Sequence, residues 1–162
     1  MKSLKTQFDT VYNPPTRWLH SGGGIFFRPF QIRWKEALGL SRCPYVYRWS
    51  LVLFGYSIRL HHWIKSDDRR FYHDHSCNLI TIQLTKPYWN ITPEGRFLAK
   101  PFSPRFMKAT ILHRLEIPKG GVWSLTLFGM PYKKWGFYVN GHLWRPLRYF
   151  HKFGIIQDEN YQ

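Results

Sequence analysis

The chain has 162 residues, a length that fits one domain better than two and is sufficient to enclose a sizeable core. Its 24 Lys and Arg stand against 9 Asp and Glu, a net charge of +15 that favours anionic partners: nucleic acid, nucleotides or phosphorylated small molecules. Two cysteines, Cys43 and Cys77, argue against a disulfide framework or zinc ribbon, and no run approaches the length of an apolar membrane span.

The N-terminus, MKSLKTQFDTVYNPPTRW, lacks the apolar core of a signal peptide, so the expected location is the cytoplasm, with no membrane contact. Residues 1–40 carry loop punctuation at Pro14-Pro15 and Gly22-Gly23-Gly24. The glycine triplet is not followed by Lys-Ser/Thr at the spacing of a phosphate-binding loop. One short helix is expected over 31–38, ended by Gly39. The aromatics of this segment, among them Trp18, Phe26, Phe27, Phe30 and Trp34, predict an arm that packs on the following domain or on a second copy, so a homodimer is expected. The expected division is therefore an arm over 1–40 and a β domain over 41–162.

From residue 45 the pattern changes to short runs rich in aromatic and β-branched residues, at 45–54, 56–64, 76–84, 96–100, 108–117, 122–127 and 135–139. Turn signals separate them, including Pro93-Glu94-Gly95 and Pro118-Lys119-Gly120-Gly121. Asn140-Gly141 between two such runs is a strong signal for a two-residue hairpin. About eight strands joined mostly by short turns predict an all-β closed or double-sheet architecture.

Chemistry concentrates in one stretch, FYHDHSCNLITIQ, residues 71–83. Alternate residues of a strand share a face, so His73 and His75 point one way and Asp74 the other. Two imidazoles seldom suffice for a metal, and the best candidate for a third is His113 in KATILHRLEIP. His61 on the run 56–64 is a further ligand or an acid/base, with Arg59 on its face to hold a carboxylate or phosphate. Gln83 follows the phase of His75 and could bond a substrate, while Tyr72 and Trp135 are available to line a pocket. Asp74 is expected to pair with a cation or orient its loop, Cys77 to be a small buried hydrophobe, and Glu116 to pair with a surface arginine.

These residues resemble the cupin superfamily. Tyr72-His-Asp-His75 looks like the first cupin motif, and the run from Pro101 to His113 looks like the second. Leu60-His-His-Trp-Ile-Lys-Ser-Asp-Asp68, His113-Arg-Leu-Glu116, Thr126-Leu-Phe-Gly129 and Trp135-Gly-Phe137 are similar to a group of small cupins of bacteria and their phages. The resemblance covers roughly residues 43–147 and implies a jelly-roll β-barrel. It departs from the common pattern at Leu79-Ile80, where many cupins place a glutamate ligand. What it implies is a site of His73, His75 and His113 binding a divalent metal, iron(II) before zinc, nickel or copper. The expected activity is oxygenation of a small anionic substrate, with His61 as catalytic residue and Arg59, Gln83, Tyr72 and Trp135 as substrate contacts. Two alternatives stay open: a non-catalytic module that captures a nucleotide-like anion in phage–host conflict, and nucleic-acid binding through the basic, aromatic surface.

Overall fold

The structure is a computed structural model that describes residues 21–27, 30–40 and 43–153. Along the chain the strands are β1 (Ser21–Phe27), β2 (Phe30–Leu40), β3 (Cys43–Leu53), β4 (Tyr56–Trp63), β5 (Tyr72–His73), β6 (Leu79–Gln83) and β7 (Tyr88–Thr92). They continue with β8 (Gly95–Ala99), β9 (Pro104–Met107), β10 (Arg114–Glu116), β11 (Val122–Phe128), β12 (Phe137–Val139) and β13 (His142–Trp144), and a helix α1 (Pro146–Phe153) follows. The described residues are all-β apart from this helix.

The strands form two layers. The larger is a seven-stranded sheet in the order β1-β2-β3-β4-β11-β6-β9, and the smaller comprises the sheets β10-β7-β8 and β13-β12-β5. A backbone pair joins the two small sheets: each N–H of His73 and His113 donates to the other's carbonyl at 2.9 Å. Tyr88 and Leu115 from the smaller layer, Ile117, and Val122 from the larger one form a buried cluster with Trp63 and Ala99 packed against it. Each such buried side chain contributes roughly 1.5–3 kcal/mol, so this cluster fixes the layers face to face. A second cluster of Phe137, Val139 and Tyr149 seats α1 beneath β12. The Tyr149 hydroxyl donates to Asp68 at 2.8 Å, and the Arg70 guanidinium grips both Asp68 and the carbonyl of Phe153. The charged turn at 67–70 thus ties the helix to the sheet.

The Asn140-Gly141 turn links β12 to β13, with φ of 50° and 78° at its two residues, as a two-residue turn of this type requires. Phe54-Gly55 makes the same kind of turn between β3 and β4, with φ of 48° at Phe54, a conformation that sequence propensity does not announce for phenylalanine.

One expectation is corrected. Residues 31–38, expected to be helical, lie within strand β2, and the helix of the described residues is α1 near the C-terminal end. The cause is a bulge: the β2–β3 register shifts between Arg33 and Glu36, with Lys35 at a φ of 51°. An extra residue in the middle of a strand breaks the two-residue alternation, so the run no longer reads as a strand. β1 and β2 therefore extend the large sheet beyond β3. Trp18 lies outside the described residues.

Candidate metal centre

The inner face of the large sheet is polar across its two middle rows, between apolar end rows that include Val46, Val122, Leu79 and Met107. In β4 the inward positions are Ser57, Arg59, His61 and Trp63; β11 adds Ser124, Thr126 and Phe128, β6 adds Thr81 and Gln83, and β3 adds Arg48 and Ser50. A core of this composition costs stability relative to an apolar one. Such a wall is what a ligand pocket needs, and the smaller layer opposite it carries the histidines.

His73 ends β5, His113 immediately precedes β10, and His75 sits in the loop after β5 with its N–H donating to the Ala109 carbonyl at 3.1 Å. One ring nitrogen from each of the three lies within 4.8 Å of the others. Nε2 of His75 and Nε2 of His113 are 2.7 Å apart. The two loops that hold the histidines are themselves anchored. Asp74, fully buried, accepts from Gly136 N–H at 2.9 Å and Tyr138 hydroxyl at 3.2 Å, and pairs with the Lys133 ammonium. Asn78 Oδ1 accepts from Ala109 N–H at 2.9 Å. Asp74 thus both pairs with a cation and orients its loop.

Electrostatics keep two of these rings neutral. Burial first, then the positive fields of His73, Arg59 and Lys133, push the His75 pKa down to about 3. Burial, followed by His73 and His75, holds His113 well below its ordinary value. Neutral imidazoles carry the free lone pair that a metal requires. Asn90, buried on β7, accepts at Oδ1 from His113 Nδ1–H at 3.1 Å, which directs the other ring nitrogen's lone pair into the cluster. His73 Nδ1 is buried without a hydrogen-bond partner, an orphan that a ligated cation would satisfy. The donor set therefore fits a divalent transition metal. Three imidazole nitrogens suit iron(II), zinc, nickel or copper, and leave coordination positions for other molecules.

The other candidate residues separate into two groups. His61 is buried on β4 facing inward, its ring 6.3 Å from that of Phe128, and Phe128 lies 6.2 Å from the ring of His75. Burial, then Arg48 and Arg59, hold His61 well below its ordinary pKa. Arg59 places its guanidinium 4.2 Å over the same Phe128 ring and donates to Ser57 Oγ at 3.0 Å. Burial and the neighbouring Arg48 lower its pKa to about 10. Among the described residues it has no carboxylate partner, whereas Arg48 and Arg33 both bond Glu36, at 2.9 and 3.3 Å. Gln83 is 1% exposed, donates to the Lys86 carbonyl and leaves Oε1 without a partner. Trp135 lies 6.5 Å from the His73 ring, half exposed at the margin of the cluster. Tyr72 falls on the opposite side: it precedes His73 on the strand, and Arg114, outward on β10, stacks 6.0 Å above it.

Glu116 is outward and pairs with Arg96 and Arg114, each at 3.4 Å, and Cys77 is fully buried. Asn90 and the Glu36–Arg48 pair are not distinguishable by residue type or spacing in the sequence. An asparagine in Tyr-Trp-Asn-Ile-Thr reads as a strand residue, and its partner is 23 positions away. Asp67, expected only as part of a charged turn, accepts from Leu115 N–H at 2.7 Å and comes within 3.9 Å of His73 Nδ1.

No family model matches the chain, and no curated protein does. Solved structures do. The iron(II) form of HppE aligns with a TM-score of 0.50 and 13% identity over 72% of this chain and 66% of that one. A hydroxypropylphosphonic acid epoxidase from S. wedmorenis in complex with fosfomycin aligns with a TM-score of 0.44 and 12% identity, over 52% of this chain and 51% of that one. A cupin superfamily protein from Desulfitobacterium hafniense DCB-2 aligns with a TM-score of 0.45 and 13% identity, over 52% and 77%. The chain spans about half the length of the epoxidase and of two further HppE structures. With two antiparallel layers enclosing the histidines, the described residues have a jelly-roll fold, shared with the iron(II) form of HppE.

Proposed function

We propose that the chain is a metal-dependent enzyme that oxygenates a small anionic substrate, with iron(II) held by His73, His75 and His113. The observation that carries this reading is the convergence of three imidazole nitrogens within 4.8 Å inside a polar barrel. The match to the iron(II) form of HppE supports the choice of iron by analogy of fold alone. Iron at this position would supply the activation of dioxygen, for which the fold must provide open positions and a water-poor cavity.

The chain's own residues supply the rest. Arg59, charged and unmatched by a carboxylate, binds the substrate's carboxylate or phosphonate as a fork. Phe128 neighbours both this guanidinium, at 4.2 Å, and the ring of His75, at 6.2 Å, so an anion bound by Arg59 is held near the histidines. Gln83 Oε1 accepts a hydrogen bond from the substrate. His61, kept neutral and adjacent to the same ring, offers the substrate a hydrogen bond at the nitrogen that is free of Thr126. Trp135 closes the margin next to His73.

Oxygen uptake tests this reading, measured on iron(II)-reconstituted protein against a panel of small carboxylates and phosphonates. Substrate-dependent uptake, abolished in His75→Ala and shifted to high KM in Arg59→Leu, is expected. Fully metallated protein that consumes no oxygen with any member of the panel overturns oxygenation.

A second reading is favoured by one feature of the opposite surface. Arg69, Ile91, Arg96, Arg114 and Glu116 line a cavity of about 280 Å³ on the outer face of the small layer. Arg96 stacks 4.6 Å over the half-exposed ring of Trp89. Arginines around an aromatic suit a nucleotide or a nucleic-acid strand. Its signature is a steep fall of affinity with salt, which a small-ligand pocket inside the barrel does not show.

A further inference from the structure

The outer face of the seven-stranded sheet is as apolar as its inner face is polar. Register alignment places Ile32, Leu51, Ile58, Leu127, Ile80 and Phe106 in one unbroken row across six strands. The last five of these are between 38% and 58% exposed. A flanking row of Trp49, Leu60, Leu125 and Ile82 runs parallel to it, and beyond that Trp123 stacks against both Trp49 and His62. None of the outward side chains of β3, β4, β11, β6 and β9 is Lys, Arg, Asp or Glu, in a chain that contains 33 such residues. Scattered exposed hydrophobes need no explanation, but an aligned, charge-free patch does.

We infer that this face is the contact surface of a homodimer, sheet packed on sheet, with the two copies related by a two-fold axis through the row. Size supports it: five inter-strand spacings span about 24 Å and three residue rows with their side chains about 20 Å. That footprint is about 480 Å² per partner, so with side-chain relief the pair buries about 1,000 Å² in total, the size a specific interface needs. Charge selects the occupant. A nucleic acid or an anionic membrane would be held by Lys and Arg set among the apolar groups, and this face has none. Two copies that each carry +15 repel, and this broad face, uncharged on five strands among the described residues, lets them meet at low cost. A two-fold axis also sets like rows against like, so a flat apolar row is its own complement. The inference is independent of the metal reading.

Sedimentation velocity on the full chain tests it, across micromolar concentrations, for the wild type, for Ile58→Glu with Leu127→Glu, and for Leu127→Lys alone. A Phe97→Glu variant, on the other layer, serves as a control. The wild type and the control are expected at twice 19.6 kDa, and both face variants at monomer mass or with a dissociation constant raised about tenfold or more. Leu127→Lys keeps the test decisive if the double variant does not fold, since a lysine stem can lie along the sheet. A wild type that is monomeric at every concentration overturns the inference. So does a dimer that both face variants leave intact, and so does a monomer that binds anionic vesicles through this face.

Discussion

Replacing Asn90 by leucine removes one acceptor while nearly conserving volume, at a position 1% exposed and one residue deep behind His113. In the wild type, Asn90 Oδ1 receives the His113 Nδ1 proton at 3.1 Å, which fixes the tautomer and leaves the lone pair on Nε2. In the variant that N–H is buried without a partner, a cost of about 1–3 kcal/mol to the fold. The ring is then free to swap tautomer and present a proton where a lone pair is required. Loss of such a supporting partner lowers metal affinity about 10–100-fold, or roughly 1.4–2.7 kcal/mol. Asn90→Asp keeps the acceptor and adds charge, so its affinity should equal or exceed that of the wild type. The assay is competition for zinc against a chromophoric chelator, with urea unfolding of the metal-free proteins alongside. A folded Asn90→Leu protein that binds zinc within about twofold of the wild type refutes the role assigned to Asn90.

Three further outcomes are expected. The unfolded chain protonates His61 near its ordinary value of about 6.5, whereas the folded one, with His61 held well below it, does not; stability therefore falls as pH drops below that value, by up to about 1.4 kcal/mol per pH unit. His61→Gln should flatten the stability profile between neutral and mildly acid pH by about one proton's slope, measured by urea unfolding, and an unchanged slope contradicts the burial of a neutral ring. Asp74→Ala leaves the Gly136 N–H and the Lys133 ammonium without their acceptor, at about 3 kcal/mol, the low end for a broken buried pair because Lys133 keeps some water contact. Denaturant midpoints check this, and a loss under about 1 kcal/mol contradicts it. Gly141→Val forces a branched side chain to a φ of 78° in the β12–β13 turn and should cost roughly 1–2 kcal/mol in the same assay.

Several of these features were legible in the sequence because they are local. Asn140-Gly141 states its own turn, and His73 and His75 stand two residues apart where β5 gives way to its loop, so their meeting is encoded within three residues. His113 is 38 positions from His75, yet it too could be proposed, because histidines on apolar runs are few. What could not be read depends on register between distant strands. Arg59 opposite Ser50, Asn90 opposite Leu115 and Glu36 opposite Arg48 are pairings set by the sheet, and each side chain taken alone reads as an ordinary strand residue. The misassigned helix has the same origin. The bulge that takes Glu36 inward to Arg48 also breaks the alternation that would have marked β2 as a strand. Tyr72 shows the converse limit: adjacency to His73 in sequence placed it beside the site, and alternation sends it to the other face.

The most direct test of the account is the metal content of the chain purified without a polyhistidine tag, after anaerobic reconstitution with iron(II). It is to be set beside a variant carrying His73→Ala and His113→Ala. The account predicts close to one metal per chain in the wild type and essentially none in the variant, with both folded. A folded wild type that retains no metal after reconstitution, or a variant that retains as much as the wild type, would contradict it.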